Sequence, residues 1–381
     1  MKYFARITSG SADLQVGNFL LALALLALVF ALACAPHHHH AGDDDQSPVD
    51  DDDSSPADDD DDDNDDDASP DDDDDDNDSA DDDDNDDDDF VWSVMGNNYP
   101  CLEAVWGTSH SDVFAAGCGV LHYDGSTWAA MNGAPGGAAI WGASHDDVFV
   151  TGGGGSISHY DGSTWTTTTI QTPLDALDLN GVWGSSPSDV FAVGGEMVGP
   201  AAWGWIEHFD GNTWSTNAVV QPYLTCIWGT SHTDVYACGD DQVIMLHFDG
   251  QLWLPVQGVP DAANSAIWGV SPSDIYSVGF GSSTGDNILH FDGAAWSAMA
   301  GGPFPGLAAV WGSSSSDVFA VGGDSNNNGT ILHYDGSSWA VMESGLPYLA
   351  GVWGSSPGDV FAVGTDQFSY DGIILHYGPP E

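Results

Sequence analysis

Basic residues are almost missing. The chain has 381 residues with 60 Asp or Glu, against two cations, Lys2 and Arg6. Both precede a 15-residue apolar run, Phe19 to Ala33. Downstream of that run there is nothing to neutralise phosphates, so nucleic-acid binding is excluded. Polybasic attraction to anionic lipid, arginine clusters for carboxylate or phosphate recognition, and Schiff-base lysines are excluded with it. Long hydrophobic segments are missing too. A transmembrane helix takes about 20 apolar residues, and the one short run has basic residues before it and a small-residue exit. That pattern predicts a secretory signal peptide over residues 1–33. Cysteine is scarce, at five residues, and no helical periodicity follows the signal.

What is present falls into blocks. The exit Ala31-Leu32-Ala33-Cys34 resembles the lipobox of bacterial lipoproteins, which implies acylation of Cys34 as the mature N-terminus. The alternative is ordinary cleavage near Ala33 with a free Cys34. Ala35 stands where lipoproteins kept in the inner membrane carry Asp, so the resemblance implies export to the outer membrane or cell surface. Residues 34–89 hold a tract His37–His40 and then 31 Asp among the 47 positions 43–89, with no glycine to form calcium-loop turns. Such a segment cannot bury apolar surface, and its charges repel one another, which predicts a disordered spacer.

Residues 90–381 repeat. The unit reads V-W-G-x-S-x-x-D-V-F-x-V-G, a variable stretch, then I-L-H-Y-D-G-x-x-W. The W-G tryptophans, Trp106, Trp141, Trp183, Trp228, Trp268, Trp311 and Trp353, recur every 35 to 45 residues, the length of one four-stranded propeller blade. Both apolar segments are short, β-branched and aromatic, and turn residues bound them. Asp-Gly after I-L-H-Y signals a two-residue hairpin. The seventh copy stops after its third strand, Ile373 to Tyr377, while Phe90–Met95 resembles a fourth strand without a blade. The expected architecture is an all-β, seven-bladed propeller in which the N-terminal strand completes the last blade and no sheet edge is left where the ends meet. The glycine pairs Gly152-Gly153, Gly194-Gly195 and Gly322-Gly323, followed by a third-strand aromatic and a fourth-strand Trp, resemble the kelch-type propellers, including the central domain of galactose oxidase. That resemblance implies fold and leaves function open.

A residue present in every blade cannot mark one site. The repeated tryptophans are expected to pack blade on blade. His122, His159, His208, His247, His290, His333 and His376, one per third strand, are expected to be structural, each donating to the turn Asp of its repeat. Ring symmetry keeps these seven from converging on one ion. Folding Trp106 opposite Val113 sets Cys101 opposite Cys118 and predicts a cross-strand disulfide in an exported protein. The same register puts Cys226 opposite Ala237, one residue from Cys238, which leaves a second bridge or two buried thiols.

From each W-G Trp to its turn Asp is six residues, and from the third-strand His to its Trp is again six in all six complete copies, so the face holding those turns is uniform. The other connections vary: Asp to His runs from 10 to 19 residues. Function tends to sit on variable loops over a rigid scaffold. Two such loops stand out. One contains Trp203 and Trp205, the only tryptophans outside the repeat, as a candidate aromatic platform for a sugar or a protein. The other, Asp324-Ser325-Asn326-Asn327-Asn328-Gly329, matches the opening of a calcium loop through Asp324, Asn326 and Asn328 but lacks the later ligands. The expected function is therefore a surface-tethered, non-enzymatic propeller that binds a protein or glycan partner and needs no cofactor, calcium being the one candidate ion. The alternative is a calcium- or metal-dependent hydrolase or oxidoreductase.

Overall fold

The structure is a computed structural model. It describes residues 90–379, except 173–175, 199–200, 222, 240–244, 261–263, 281–286, 300–305, 325 and 327. The expected signal peptide, Cys34 as its expected acylation site and the expected Asp-rich spacer lie outside the described residues.

Seven four-stranded antiparallel sheets account for nearly all the regular structure. A single 3₁₀ turn, Gly153–Gly155, is the only helical element among the described residues. Blade 1 runs from Leu102 to Ala130, blade 2 from Ala139 to Thr169, blade 3 from Asp178 to Val220 and blade 4 from Cys226 to Pro255. Blade 5 spans Ala266–Ala298, blade 6 Leu307–Leu346, and blade 7 begins at Leu349. The first strand of each blade packs on the first strands of both neighbours, and blade 7 on blade 1, so these strands surround the axis.

Closure occurs where the repeat predicts it. Strand Val91–Tyr99 pairs antiparallel with strand Gly372–Gly378, with Val91 opposite Gly378, Trp92 opposite Tyr377 and Tyr99 opposite Gly372. Phe90 stacks toward Tyr377 and lies over Gly358, in the first turn of blade 7. In blades 1, 3 and 7 the second strands, covered on both sides, are wholly apolar in their centres: Val113, Phe114, Ala115 and Ala116 are inaccessible to solvent, and so are their counterparts in blades 3 and 7. Such continuous apolar runs suit strands buried on both faces.

The packing of W-G explains both letters. Each ring lies over the W-G glycine of the next blade: Trp106 over Gly142, Trp141 over Gly184, and so on to Trp353 over Gly107. A Cβ on any of the seven glycines would stand 2.5–2.9 Å from that ring. Only a residue without a side chain lets the tryptophan through. Within each blade a cross-strand ladder runs Trp106, Phe114, His122, and its equivalents repeat around the ring. His159 stacks on Phe149 at 4.2 Å between centroids, nearly parallel. The fourth-strand Trp reaches the preceding blade, as Trp128 does against Phe361 and Trp253 against Phe191.

Two local expectations are corrected. The Asp-Gly hairpin is a four-residue loop, because Tyr123 pairs with Trp128. Asp124 caps it, its Oδ1 accepting the N–H of Ser126 at 2.9 Å and of Thr127 at 2.8 Å. Gly125 sits at φ 88°, which a glycine adopts freely. The carboxylate supplies the turn's hydrogen bonds, so no two-residue turn is needed. The second correction concerns register. Trp106 lies opposite Phe114, one place from the expected Val113, because the turn closes with Ser109 opposite Asp112 and the slip between Gly107 and Ser109 takes up only part of that offset. A second slip at Glu103 brings Cys101 and Cys118 level, and they are disulfide-bonded with Cα atoms 5.2 Å apart. In blade 4 the second slip is missing, so Cys226 lies directly opposite Cys238, and the two are bonded with Cα atoms 5.1 Å apart.

Candidate functional site

The uniform face can be identified from contacts. The Asp-Gly glycines touch the first turn of their own blade: Gly125 meets Ser111, Gly211 meets Ser188 and Gly336 meets Ser316. The second-to-third-strand loops and the links between blades therefore share the opposite, variable face.

At the centre of that variable face a cavity of about 790 Å³ opens over the axis. Its wall includes Glu103, Asn180, Ala308 and Ala350. All four occupy the same structural position, the residue at which the first strand slips register against the second, between Leu102 and Ala104 and at the equivalent places in blades 3, 6 and 7. A bulge turns a side chain out of the regular alternation, and here four bulges turn four side chains to one cavity. Among the described residues that line it, Glu103 is the one carboxylate. Loss of bulk water within the mouth pushes that carboxyl above its ordinary range. Burial also raises the Tyr348 phenol. Thr365 ties blade 7 to blade 1 at the wall, its Oγ1 accepting the Leu102 N–H at 2.7 Å and donating to the Leu102 carbonyl at 3.0 Å.

The loops around the mouth expose apolar groups. Phe368 and Tyr370 are 79% and 73% exposed. They stand on a loop braced by Asp366, whose Oδ1 accepts the N–H of Phe368 at 2.8 Å and of Ser369 at 2.9 Å. Met197 and Phe280 are exposed on the same face.

The other candidates fall elsewhere. Trp203 and Trp205 are not on a loop. The second and third strands of blade 3 run long, pairing Glu196 with Trp203 and Gly194 with Trp205. Trp205 is only 5% exposed and cannot serve as a platform, since its ring is spent on the blade's interior; Trp203 is half-buried. Asp324, Asn326 and Asn328 do come together. The Asn328 side-chain N–H groups lie 3.0 and 2.9 Å from the two Asp324 oxygens, and the backbone N–H of Asn326 and Asn328 add two more donors. These donors hold the Asp324 carboxyl down to about 2, with Asn328 contributing most. The carboxylate caps its own loop.

On the uniform face all seven third-strand histidines place Nε2 2.7 Å from Oδ1 of the turn Asp of their own blade. Sequence spacing did not reveal a second histidine. His145, in the first turn of blade 2, puts Nδ1 2.6 Å from Asp112 of blade 1. His232 does the same to Asp189, and His110 to Asp359, each across a seam to the preceding blade. A hydroxyl four residues earlier, on Thr108, Ser185 or Ser355, donates to the other oxygen of these three carboxylates. Burial alone would raise the Asp359 carboxyl, but donation from His376, Ser355 and His110 outweighs it and lowers it to about 2. Asp112 and Asp189 are shifted down by the same balance.

One further group departs from the repeat. Where five blades carry Leu before the third-strand His, blade 3 carries Glu207. It is 1% exposed and lines a crevice of about 570 Å³ between blades 2 and 3. Desolvation pushes its carboxyl to about 7, against one hydrogen bond from Thr216 at 2.9 Å.

Signals for some of these residues were in the sequence. Bulged blades read L-x-[AG]-V-W-G, whereas the others carry Ile in place of the Val before W-G. The bridging histidines stand where Pro187, Pro272 and Pro357 occupy other copies of the turn.

No protein-family model matches the sequence, and no curated protein is similar to it. Solved structures do share its shape. One is YCF48 bound to D1 peptide, at 12% identity over 76% of this chain and 97% of that one, with a TM-score of 0.57. Another is U3-55K, at 10% identity over 75% and 98%, with a TM-score of 0.56. A chain of the mitotic checkpoint complex follows at 13% identity over 76% and 93%, with a TM-score of 0.54. At such identities the likeness is one of fold, and the fold is the β-propeller.

Proposed function

We propose that this is an exported, lipid-anchored bacterial propeller of kelch-like type, without catalytic activity, that captures a polypeptide segment in the mouth of its variable face. The observation that carries this is the convergence of four bulged residues, Glu103, Asn180, Ala308 and Ala350, on one cavity that Tyr370 also lines, with the exposed ring of Phe368 two residues before it on the same loop. Bulges that re-aim side chains gather at functional positions, and exposed aromatics on a preformed cleft supply area at small entropic cost. The described residues of the wall offer one carboxylate and several neutral hydrogen-bonding groups, a set suited to holding a ligand. Propellers of this shape are known with partners in place, YCF48 with a D1 peptide among them.

With 28 acidic and no basic residues from Phe90 onward, the partner segment should carry a Lys or Arg for Glu103 and apolar residues for the aromatic rim. A displayed library of random peptides should enrich basic–apolar sequences. Tyr370→Ala with Phe368→Ala should weaken the selected peptides at least about tenfold, as expected for loss of aromatic anchors, while Leu252→Ala on the uniform face leaves binding unchanged. Enriched peptides insensitive to the rim, or a glycan array positive where the library is blank, would overturn the choice of site or of ligand. Metabolic labelling with a radioactive fatty acid tests the anchor, since Cys34→Ser should abolish incorporation.

A further inference from the structure

Three seams on the uniform face carry a feature that neither peptide binding nor the repeat requires. At each of them two imidazole nitrogens and one carboxylate oxygen converge: His122, Asp112 and His145; His208, Asp189 and His232; His376, Asp359 and His110. The donor atoms of each set all lie within 4.8 Å of one another. We propose that these three seams are binding sites for a zinc-class divalent cation, which staples blade 7 to blade 1, blade 1 to blade 2 and blade 3 to blade 4.

The donor chemistry selects the class of ion. Two imidazoles and a carboxylate suit zinc and its first-row neighbours, whereas calcium takes six to eight oxygens. Each set leaves a fourth position toward solvent, because the bridging histidine is about half exposed: 56% for His110, 49% for His145 and 53% for His232. Its partners are held firmly, the three aspartates being 10–15% exposed and anchored by hydroxyls on the second oxygen. In the metal-free arrangement the nitrogens stand 2.6–2.7 Å from the oxygen as hydrogen-bond donors. Ligands about 2.0–2.2 Å from a tetrahedral zinc sit about 3.3 Å apart. The bridging histidine would therefore retreat by roughly half an ångström or more, a movement its exposed two-residue turn permits, and each neutral ring would carry its proton on the other nitrogen.

Charge favours occupancy. Two neutral imidazoles and one carboxylate leave a site of net +1 around Zn²⁺, in a domain with 28 acidic side chains and no Lys or Arg to compete. The remaining seams serve as internal controls. Blades 3, 5, 6 and 7 place Pro187, Pro272, Ser315 and Pro357 at the bridging position, so Asp147, Asp234, Asp274 and Asp317 keep one histidine each.

The test uses the full mature chain, with Zn²⁺ in equilibrium dialysis followed by elemental analysis. The expected result is three zinc ions above whatever the His37–His40 tract retains. His110→Gln, His145→Gln and His232→Gln should each remove one, and the triple variant all three. His247→Gln, at a control seam, should remove none. Zinc should raise the melting temperature of the wild type and leave that of the triple variant unmoved. Cobalt in place of zinc should give visible d–d absorption that the triple variant lacks. Ser315→His, set beside Asp274 and His290 by the contact of Tyr276 with the Ser315 carbonyl, should add a fourth ion, which keeps the proposal testable should the triple variant fold poorly. Zinc stoichiometry and melting shift unchanged in a folded triple variant would overturn it, leaving the sets as hydrogen-bonded seams only.

Discussion

At the scale of single residues, the molecule is governed by contacts that permit no substitution of size. Gly142 is helpful here because its φ is ordinary and only space is at stake. A methyl group would stand 2.5 Å from the Trp106 ring and 2.8 Å from the Asp147 carbonyl. Gly142→Ala should cost about 1–3 kcal/mol by overpacking, read as a shift in the urea midpoint at unchanged slope. Asp359 makes a second case. Its carboxyl is held near 2, below the unfolded value near 3.8, so the unfolded chain binds the extra proton as the pH falls. The stability it supplies is complete above about pH 4 and is lost as the pH drops through about 2. Asp359→Asn should therefore cost on the order of 2 kcal/mol at neutral pH and nothing at the acid end, measured by thermal melts across that range. The third-strand histidines and their aspartates were legible because they recur seven times. The bridging histidines were not, because a residue in three copies of seven looks like ordinary turn variation until the ring sets it against its neighbour.

At the scale of the strand and the blade, small offsets decide what faces what. The sequence located nearly every strand, since apolar runs and turn residues alternate without ambiguity. Register was less legible. The slip beside Gly107 moves every later pairing by one place, and the slip at Glu103 moves those beyond it by one more; neither leaves a mark in the alternation of apolar residues. The four residues lining the mouth are marked only by the L-x-[AG]-V-W-G pattern, which takes on meaning once the register is known, whereas the variable face could be named from loop lengths. Glu207 shows the same scale from the side of energy. It replaces a Leu of other blades, and its carboxyl titrates near 7 where the unfolded chain titrates near 4.5. The folded form holds the extra proton between those values, so stability declines as the pH rises through that window and the full penalty applies above about 7. Glu207→Leu should raise the melting temperature at alkaline pH by the equivalent of on the order of 3 kcal/mol, and by much less below about pH 4.5. An equal gain at both ends would mean that packing, and not the charge, is responsible.

At the scale of the whole molecule, the ring depends on one pairing made between the ends of the domain. Strand Val91–Tyr99 covers the outer edge of strand Gly372–Gly378, and Trp92 packs against Phe319 of blade 6. Deleting residues 90–99 should bare that edge, lower the unfolding midpoint and cause concentration-dependent association, detectable by light scattering; a monomer of undiminished stability would show that the latch is dispensable. Closure was legible because the first segment matches a fourth strand and the last blade lacks one. The ligand was not, since the mouth is made of residues whose only common property is where a bulge points them. The same latch fixes a direction. Phe90 rests over Gly358 in a first turn, and Gly378 lies beside Val91, so the domain is held by both of its termini at one rim, on the side away from the mouth. The backbone therefore enters the first described strand on the side opposite the opening. A bead or a fusion partner coupled directly at Phe90 would leave the opening clear, like a dish fixed by its back.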